Sequence, residues 1–297
     1  MAQEETSESQ ERVEKNAVFS KDLPANVAYV KSHPQYSNPL YEFGLEIPVE
    51  TVPLPSNGKV YSETHPLHNK DLVEIKAMTA HEEDILTSRA LIKNGTVISR
   101  LLESMLVDKR INPKQLLSGD RNALIVATRI TGYGSAYKFK VECPKCNESI
   151  EHTVNLAELP IKRLSIEPDI SGENLFSYVL PQTKATVKFK FLTGIDEEQL
   201  HLAEDRKKSK GSKEDSIVTT RLLQTLVSIN EKTDKNLLFK FVHYMPSMDS
   251  LSLRKYIREN EPGIDMTTDL VCDNPDCGVV EKVPVRLDVS FFWPDAR

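Results

Sequence analysis

Two spacings of apolar residues alternate along the chain and predict a mixed α+β protein. Apolar and polar residues alternate over residues 73–78, the pattern of a half-buried strand. Thr79-Ala-His-Glu82 follows with the spacing of a capping box, which opens a helix. Apolar residues then recur at helical spacing up to Leu106, with an interruption near Asn94-Gly95. This stretch therefore predicts a strand followed by broken helix.

A β-hairpin is predicted after a further helix. The helical pattern covers residues 120–129, and alternation then resumes over residues 137–141 and 150–156. Between these two alternating segments lies Cys143-Pro-Lys-Cys146. The pattern therefore predicts paired strands with two cysteines at their tip.

The second half of the chain repeats the same order of elements. Residues 187–193 match residues 73–79, with Val, Lys and Thr identical and apolar residues at the remaining inward positions. Glu197-Glu198 follows as Glu82-Glu83 does, and residues 221–227 repeat the Arg-Leu-Leu pattern of residues 100–106.

Two further pairs share one offset. Asp249 lies 129 positions after Asp120 (249 − 120 = 129), and Cys272 lies equally far after Cys143. The ordered matches predict an internally duplicated strand–helices–β-hairpin unit. Two generic α+β segments that merely look alike are the alternative.

The repeat also predicts how the chain is divided. Prolines and the aromatic residues Tyr36, Tyr41 and Phe43 favour an extended arm that could contact a partner, and a flexible linker is the alternative. The predicted segments are a disordered N-terminus (1–16), an extended Pro/aromatic arm (17–53), repeat 1 with the first cysteine pair (54–160), a linker (161–173) and repeat 2 with the second pair (174–297).

Composition and charge favour a protein of a reducing compartment without affinity for polyanions. Hydrophobic residues make up 39% and charged residues 28%, and the net charge is −6. Nucleic acid and anionic membranes both favour basic surfaces. No apolar run approaches the roughly 18 residues of a membrane span, and the acid-rich start does not resemble a secretory signal. We therefore expect no membrane segment and no disulfide framework.

Four cysteines form the candidate metal site of this sequence. Cys143 and Cys146 form one knuckle, and Cys272 and Cys277 form a wider one in the matching position of the second predicted hairpin. Four thiolates complete the closed tetrahedral set of a structural zinc ion and leave no position for substrate. We therefore expect one zinc ion per chain in a zinc-ribbon-like site. Two disulfides, four unrelated thiols and an iron–sulfur cluster are the alternatives.

Other polar motifs have simpler interpretations. The chain contains no Gly-rich phosphate loop, HExxH or GxSxG motif. The acid pairs at Glu82 and Glu197 lie where a first helical turn favours negative charge, and His65 and His68 have no third ligand nearby in the sequence. These features predict no catalytic residue.

Six short stretches of the sequence carry a resemblance to a known family. The stretches are residues 54–61, 79–83, 117–120, 143–146, 245–249 and 291–294. Together they resemble the baseplate hub and hub-assembly proteins of T-even-type contractile-tailed bacteriophages, and the likeness covers about residues 50–297. The resemblance implies a small structural or assembly protein that binds other hub or wedge proteins and has no catalytic residues.

The expected function is protein–protein binding during assembly of a phage tail. The expected locations are the cytoplasm of the bacterial host during assembly and the tail baseplate of the virion. A zinc-ribbon protein that binds nucleic acid or assists transcription is the first alternative, and an enzyme with an unrecognised site is the second.

Overall fold

The computed structural model describes residues 40–45, 47–209, 217–285 and 289–292. The described helices are α1 (Ala80–Thr87), α2 (Arg89–Lys93), α3 (Val97–Met105), α4 (Ser118–Tyr133), α5 (Gly194–Ser209), α6 (Ile217–Thr225), α7 (Lys235–Tyr244) and α8 (Ser247–Asn260). The described strands are β1 (Val49–Pro53), β2 (Leu72–Lys76), β3 (Ala136–Glu142), β4 (Ser149–Asn155), β5 (Ile161–Lys162), β6 (Phe176–Val179), β7 (Thr186–Phe189), β8 (Leu226–Ile229), β9 (Gly263–Ile264), β10 (Thr267–Val271) and β11 (Val280–Pro284). The mixed α+β class expected from the sequence is confirmed.

The first half runs from one antiparallel hairpin through helices to another. Strands β1 and β2 pair with Val52 opposite Val73, and α1 to α4 follow. Strands β3 and β4 then pair along seven positions, from Ala136↔Asn155 to Glu142↔Ser149. The predicted strand, helices and hairpin therefore all form in this half.

The second half has a three-stranded sheet in place of the first two-stranded one. Strand β7 pairs with β6 on one side and with β8 on the other, all antiparallel. Helices α5 to α8 and the hairpin β10–β11 complete the half. The segment predicted to be a helix over residues 221–227 ends at Thr225, because the next residues form β8 beside β7.

The core is centred on α4, which is buried along most of its length. Gly119 lies at its beginning, where a Cβ atom would fall 1.8 Å from the carbonyl oxygen of Pro262. Only glycine permits this approach of the second half to α4. Phe291 packs edge-on against Tyr137 at a ring distance of 4.9 Å, so the last described residues contribute to the same core.

Two matching side-chain arrangements follow the strands β2 and β7. The Glu82 carboxylate accepts hydrogen bonds from the Lys76 ammonium at 2.7 Å and the Thr79 N–H at 2.9 Å. In the second half, Asp196 accepts from the Lys190 ammonium and from the N–H of the threonine before α5. The acid that corresponds to Glu82 is therefore Asp196, one position before the glutamate expected from the sequence match.

A second pair of arrangements ties a helix to the turn of the preceding strands. Asp120 in α4 accepts hydrogen bonds from the Ser56 N–H at 2.9 Å, the Ser56 hydroxyl at 2.6 Å and the Tyr61 hydroxyl at 2.5 Å. Asp249 in α8 accepts from two backbone N–H groups of the β6–β7 turn at 2.7 and 3.0 Å. Each buried carboxylate therefore fixes a turn to a helix through hydrogen bonds from turn N–H groups.

Two segments expected outside the repeats contribute to sheets. Val49–Pro53, within the predicted arm, forms β1 and buries Val52. Ile161–Lys162, within the predicted linker, pairs with Gly263–Ile264. In both segments the backbone groups find hydrogen-bond partners in a neighbouring strand. The proline content alone did not indicate this pairing.

Candidate metal centre

The first cysteine knuckle closes the β3–β4 hairpin. The Cys143 N–H donates to the Glu148 carbonyl at 2.8 Å, and the Asn147 N–H donates to the Cys143 carbonyl at 2.8 Å. Asn147 has a φ of 59°, a left-handed conformation that asparagine tolerates better than most residues. The chain therefore reverses direction after Cys146, and both thiols lie on one side of the turn.

The second knuckle closes the β10–β11 hairpin in a related way. The Cys272 N–H donates to the Val279 carbonyl at 3.0 Å, and the Gly278 N–H donates to the Asn274 carbonyl at 3.1 Å. Gly278 has a φ of 54° directly after Cys277. The two residues additional to a CxxC spacing are accommodated within this turn.

The two hairpins bring all four sulfur atoms together. The four Sγ atoms lie within 4.8 Å of one another. Cys143 is 3.8 Å from Cys277, and Cys146 is 3.6 Å from Cys272. Four sulfurs about 2.3 Å from one zinc ion would lie roughly 3.8 Å apart at the corners of a tetrahedron. The cluster therefore has the dimensions of a four-thiolate metal site.

The close pairs join sulfurs from different hairpins and are not disulfides. A disulfide bond holds its sulfurs about 2.05 Å apart. All four cysteines are free thiols at the observed separations. A cation bound by these sulfurs would therefore join two hairpins that are far apart in the sequence.

A small apolar cluster surrounds the sulfurs and is separate from the main core. Cys143 and Cys272 are buried, together with Ile150, Leu270 and Val283. These apolar residues lie on the inward faces of the two hairpins, which the alternation predicted, but their shared cluster was not predicted. Exclusion of water strengthens the attraction between thiolates and a cation, and it applies to the side of Cys143 and Cys272, since Cys146 is exposed and Cys277 is half-buried.

The thiols differ in acidity. The pKa of Cys143 is lowered to about 7, mainly by a hydrogen bond from the backbone N–H of Cys146. The N–H of Asn274 acts in the same direction on Cys272, but burial and the three neighbouring thiols together raise the pKa of Cys272 to about 12. Neighbouring thiolates repel one another, so all four ionise together only when a cation compensates their charge.

The aromatic residues predicted to bind a partner are only partly described. Tyr36 lies outside the described residues. Tyr41–Phe43 forms a short 3-10 helix in which Phe43 is 74% exposed. Phe43 is therefore available for contact, and the contact itself stays a prediction.

The other polar motifs of the sequence have structural partners. The His65 ring stacks on Tyr61 at a centroid distance of 4.6 Å, and His68 Nδ1 lies 2.6 Å from the Tyr61 carbonyl. Burial opposes ionisation of Glu82, but hydrogen bonds from Lys76, Ser104 and Thr79 lower its pKa to about 2. These interactions explain the motifs without catalysis or metal binding.

The structure thus defines an α+β protein in which two distant hairpins assemble a four-cysteine cluster. A comparison with protein families gives the class a name. The family model described as T4 bacteriophage base plate protein matches residues 48–293. The chain belongs to this family, and the resemblance to phage baseplate proteins is confirmed. No curated protein and no solved structure matches the chain.

One structural property bears on membranes. Within the described ranges, no helix combines the length and the apolar character that crossing a bilayer requires.

Proposed function

We propose that the chain is a structural or assembly protein of the baseplate hub, and that it acts by binding other hub or wedge proteins. The family match over residues 48–293 carries this proposal. The four-cysteine cluster supports it, because a closed set of thiolates stabilises a fold and offers no position for substrate. The protein acts in the host cytoplasm during assembly and has its place in the tail baseplate, and it catalyses no reaction.

Zinc is the proposed ion of the four-cysteine cluster. A tetrahedral set of four thiolates is the typical structural site of this metal. Cys143 and Cys146 would hold the ion from the first hairpin, and Cys272 and Cys277 from the second. One ion per chain would then join two hairpins that also share a small apolar cluster and the hydrogen bonds of Lys145 and His152.

The two halves are proposed to descend from one duplicated unit, which makes the metal site a zinc-ribbon-like junction between repeats. The paired arrangements of Glu82 with Lys76 and of Asp196 with Lys190 support this proposal, since both recur at the same offset of 114 positions (190 − 76 = 196 − 82 = 114). The turn-capping roles of Asp120 and Asp249 add a second match. Repeat 1 then begins no later than Val49.

The segment before β1 is proposed as part of the partner-binding surface. The exposure of Phe43 supports this proposal, and Tyr36 and Tyr41 belong to the same segment. Aromatic residues in exposed segments commonly anchor interfaces, where truncation of one costs about 2 kcal/mol or more.

A complementation experiment tests the functional proposal. Host cells infected with phage that lacks this protein would supply either the intact chain, Cys146→Ser or the control Ser149→Ala, and assembled baseplates would be counted by electron microscopy. Ser149 begins β4 and is exposed, so its loss should leave the hairpin intact.

The expected result is normal assembly with the intact chain and with Ser149→Ala, and few or no baseplates with Cys146→Ser. Normal baseplates without any copy of the protein would contradict the assembly role. Normal baseplates with Cys146→Ser would leave the assembly role standing and contradict the need for the metal.

A further inference from the structure

The surface formed by α7 and α8 differs from the rest of the molecule in two properties. Large apolar side chains are exposed on it, and cations outnumber acids on it although the chain has a net charge of −6. We call it the α7–α8 surface. Its exposed apolar residues are Leu237, Phe239, Tyr244, Met248 and Leu251.

The apolar residues follow the outer faces of both helices. Leu237 and Tyr244 are seven positions apart on α7, and Met248 and Leu251 are three apart on α8, so each pair shares a helix face. The inner faces carry Leu238, Val242 and Leu253, which are buried. The ring of His243 lies between those of Phe239 and Tyr244, at 6.3 and 4.9 Å. The exposed residues are therefore additional to those that attach the helices to the core.

Cations predominate on this surface. Residues 235–260 contain five cations and two acids, of which one is the buried turn-capping Asp249 and the other is the exposed Glu259. In the described part of the chain, Lys235 and Lys240 form no ion pair, and Lys255 is 3.8 Å from Glu259. An apolar surface with a cationic rim fits an occupant that is acidic and carries a few apolar residues.

A segment of this chain that lies outside the described residues has that chemistry. Residues 1–16 contain five glutamates and two basic residues, and Val18, Phe19 and Leu23 follow within a few positions. We propose that residues 1–23 bind to the α7–α8 surface of the same chain in the free protein. The inference does not rest on the proposed function.

Chain length is compatible with this contact. Residues 24–39 would connect the segment to Leu40, and 16 extended residues span up to about 55 Å. A body of some 250 residues has a radius of gyration of about 18 Å, so this connection reaches across it. Tethering also gives the segment an effective concentration on the order of millimolar, so that a weak contact is populated.

The contact would cover exposed apolar side chains, which otherwise favour association with other proteins.

Zero-length carbodiimide cross-linking of the full chain tests the proposal, because it joins only carboxylates and amines in contact. Glutamates of residues 1–16 should cross-link to Lys240 and Lys255 at least fivefold more than to Lys138 and Lys140. The latter pair is exposed on β3 and serves as the internal control. Cross-links spread evenly over the four lysines would overturn the proposal.

A mixture of ¹⁵N-labelled and unlabelled protein separates contacts within a chain from those between chains. Cross-linked peptides should carry one isotope only. Pairs of mixed isotope in the proportion expected for exchange between chains would place the segment on a second copy and would contradict the proposal.

A charge variant of the full chain gives an independent readout. Replacing Glu4, Glu5, Glu8, Glu11 and Glu14 with glutamine should release the segment and raise the fluorescence of a bound hydrophobic dye at least threefold. Adding Phe239→Ser and Leu251→Ser should abolish this rise, since both side chains are exposed and their loss spares the core. Unchanged dye fluorescence in the glutamine variant would overturn the proposal.

Discussion

Removing Cys272 from the proposed metal site should release one hairpin from the other. In the Cys272→Ser variant, the two-stranded β10–β11 hairpin contacts the first hairpin through a small apolar cluster and the hydrogen bonds of Lys145 and His152. Isolated two-stranded hairpins are marginally stable in water. We therefore expect local opening around residues 267–284 in addition to a loss of global stability.

The size of the loss follows from the length of chain that the metal closes. Cys143 and Cys272 are 129 positions apart, and a cross-link across about 130 residues restricts the unfolded chain by about 5 kcal/mol. The intact site could contribute more, because structural zinc sites reach an apparent ~10–16 kcal/mol in peptides near neutral pH. A loss of about 5 kcal/mol is thus the expected order of magnitude for the variant.

Urea denaturation and amide hydrogen exchange would measure the two effects in the presence of zinc. The free energy of unfolding should fall by about 5 kcal/mol in Cys272→Ser, and amides of β3, β4, β10 and β11 should lose protection first. Ser149→Ala, on an exposed position of the same hairpins, should change neither quantity by more than about 0.5 kcal/mol. Equal stability and equal protection in Cys272→Ser and the intact protein would refute the reasoning.

Three further predictions concern the body. The folded state lowers the pKa of Glu82, so the stability that depends on this carboxylate should be present above pH 4.5 and lost as pH falls toward about 2. Glu82→Gln should lower the free energy of unfolding at pH 7 by up to about 3 kcal/mol, and that free energy should then depend less on pH in the acid range. Gly119→Ala should lower the free energy of unfolding, measured by thermal denaturation, by about 3 kcal/mol or more, since its Cβ would meet the Pro262 carbonyl. The control Ser118→Ala should be nearly neutral, because the Ser118 hydroxyl has no partner among the described residues. Asp249→Ala should lower the free energy of unfolding in urea by about 2 kcal/mol, because it removes two hydrogen bonds between a carboxylate and the β6–β7 turn; a neutral effect would contradict its capping role.

The sequence predicted local elements well where side-chain spacing determines them. The alternating segments became β3, β4 and β7, and the cysteines at the hairpin tips came together as expected. Alternation reports which face of a strand is buried, and a tip position follows from two adjacent strands. Local pattern was therefore sufficient for the knuckles.

Pairing between distant segments was harder to predict. Val49–Pro53 has proline at both sides, yet it pairs with β2, and Leu226–Ile229 continues a helical pattern but joins β7. Whether such a segment becomes a strand depends on an edge supplied by another part of the chain. The burial of Phe291 against Tyr137 has the same origin, because no periodicity connects these positions.

The metal cluster was predictable for a different reason. Cys143 and Cys272 recur at matching places of a repeated pattern, and thiol chemistry restricts what four such residues can do in a reducing compartment. Their apolar surroundings, including Ile150 and Leu270, were visible only as inward positions of separate strands. Their approach depends on the way in which the two hairpins pack.

X-ray absorption at the zinc K-edge, on full-length protein purified under reducing conditions, tests the central claim most directly. The account predicts one equivalent of zinc bound by four sulfur atoms at about 2.3 Å. Absence of zinc, or a coordination shell dominated by nitrogen and oxygen, would contradict a structural zinc ion shared by Cys143, Cys146, Cys272 and Cys277.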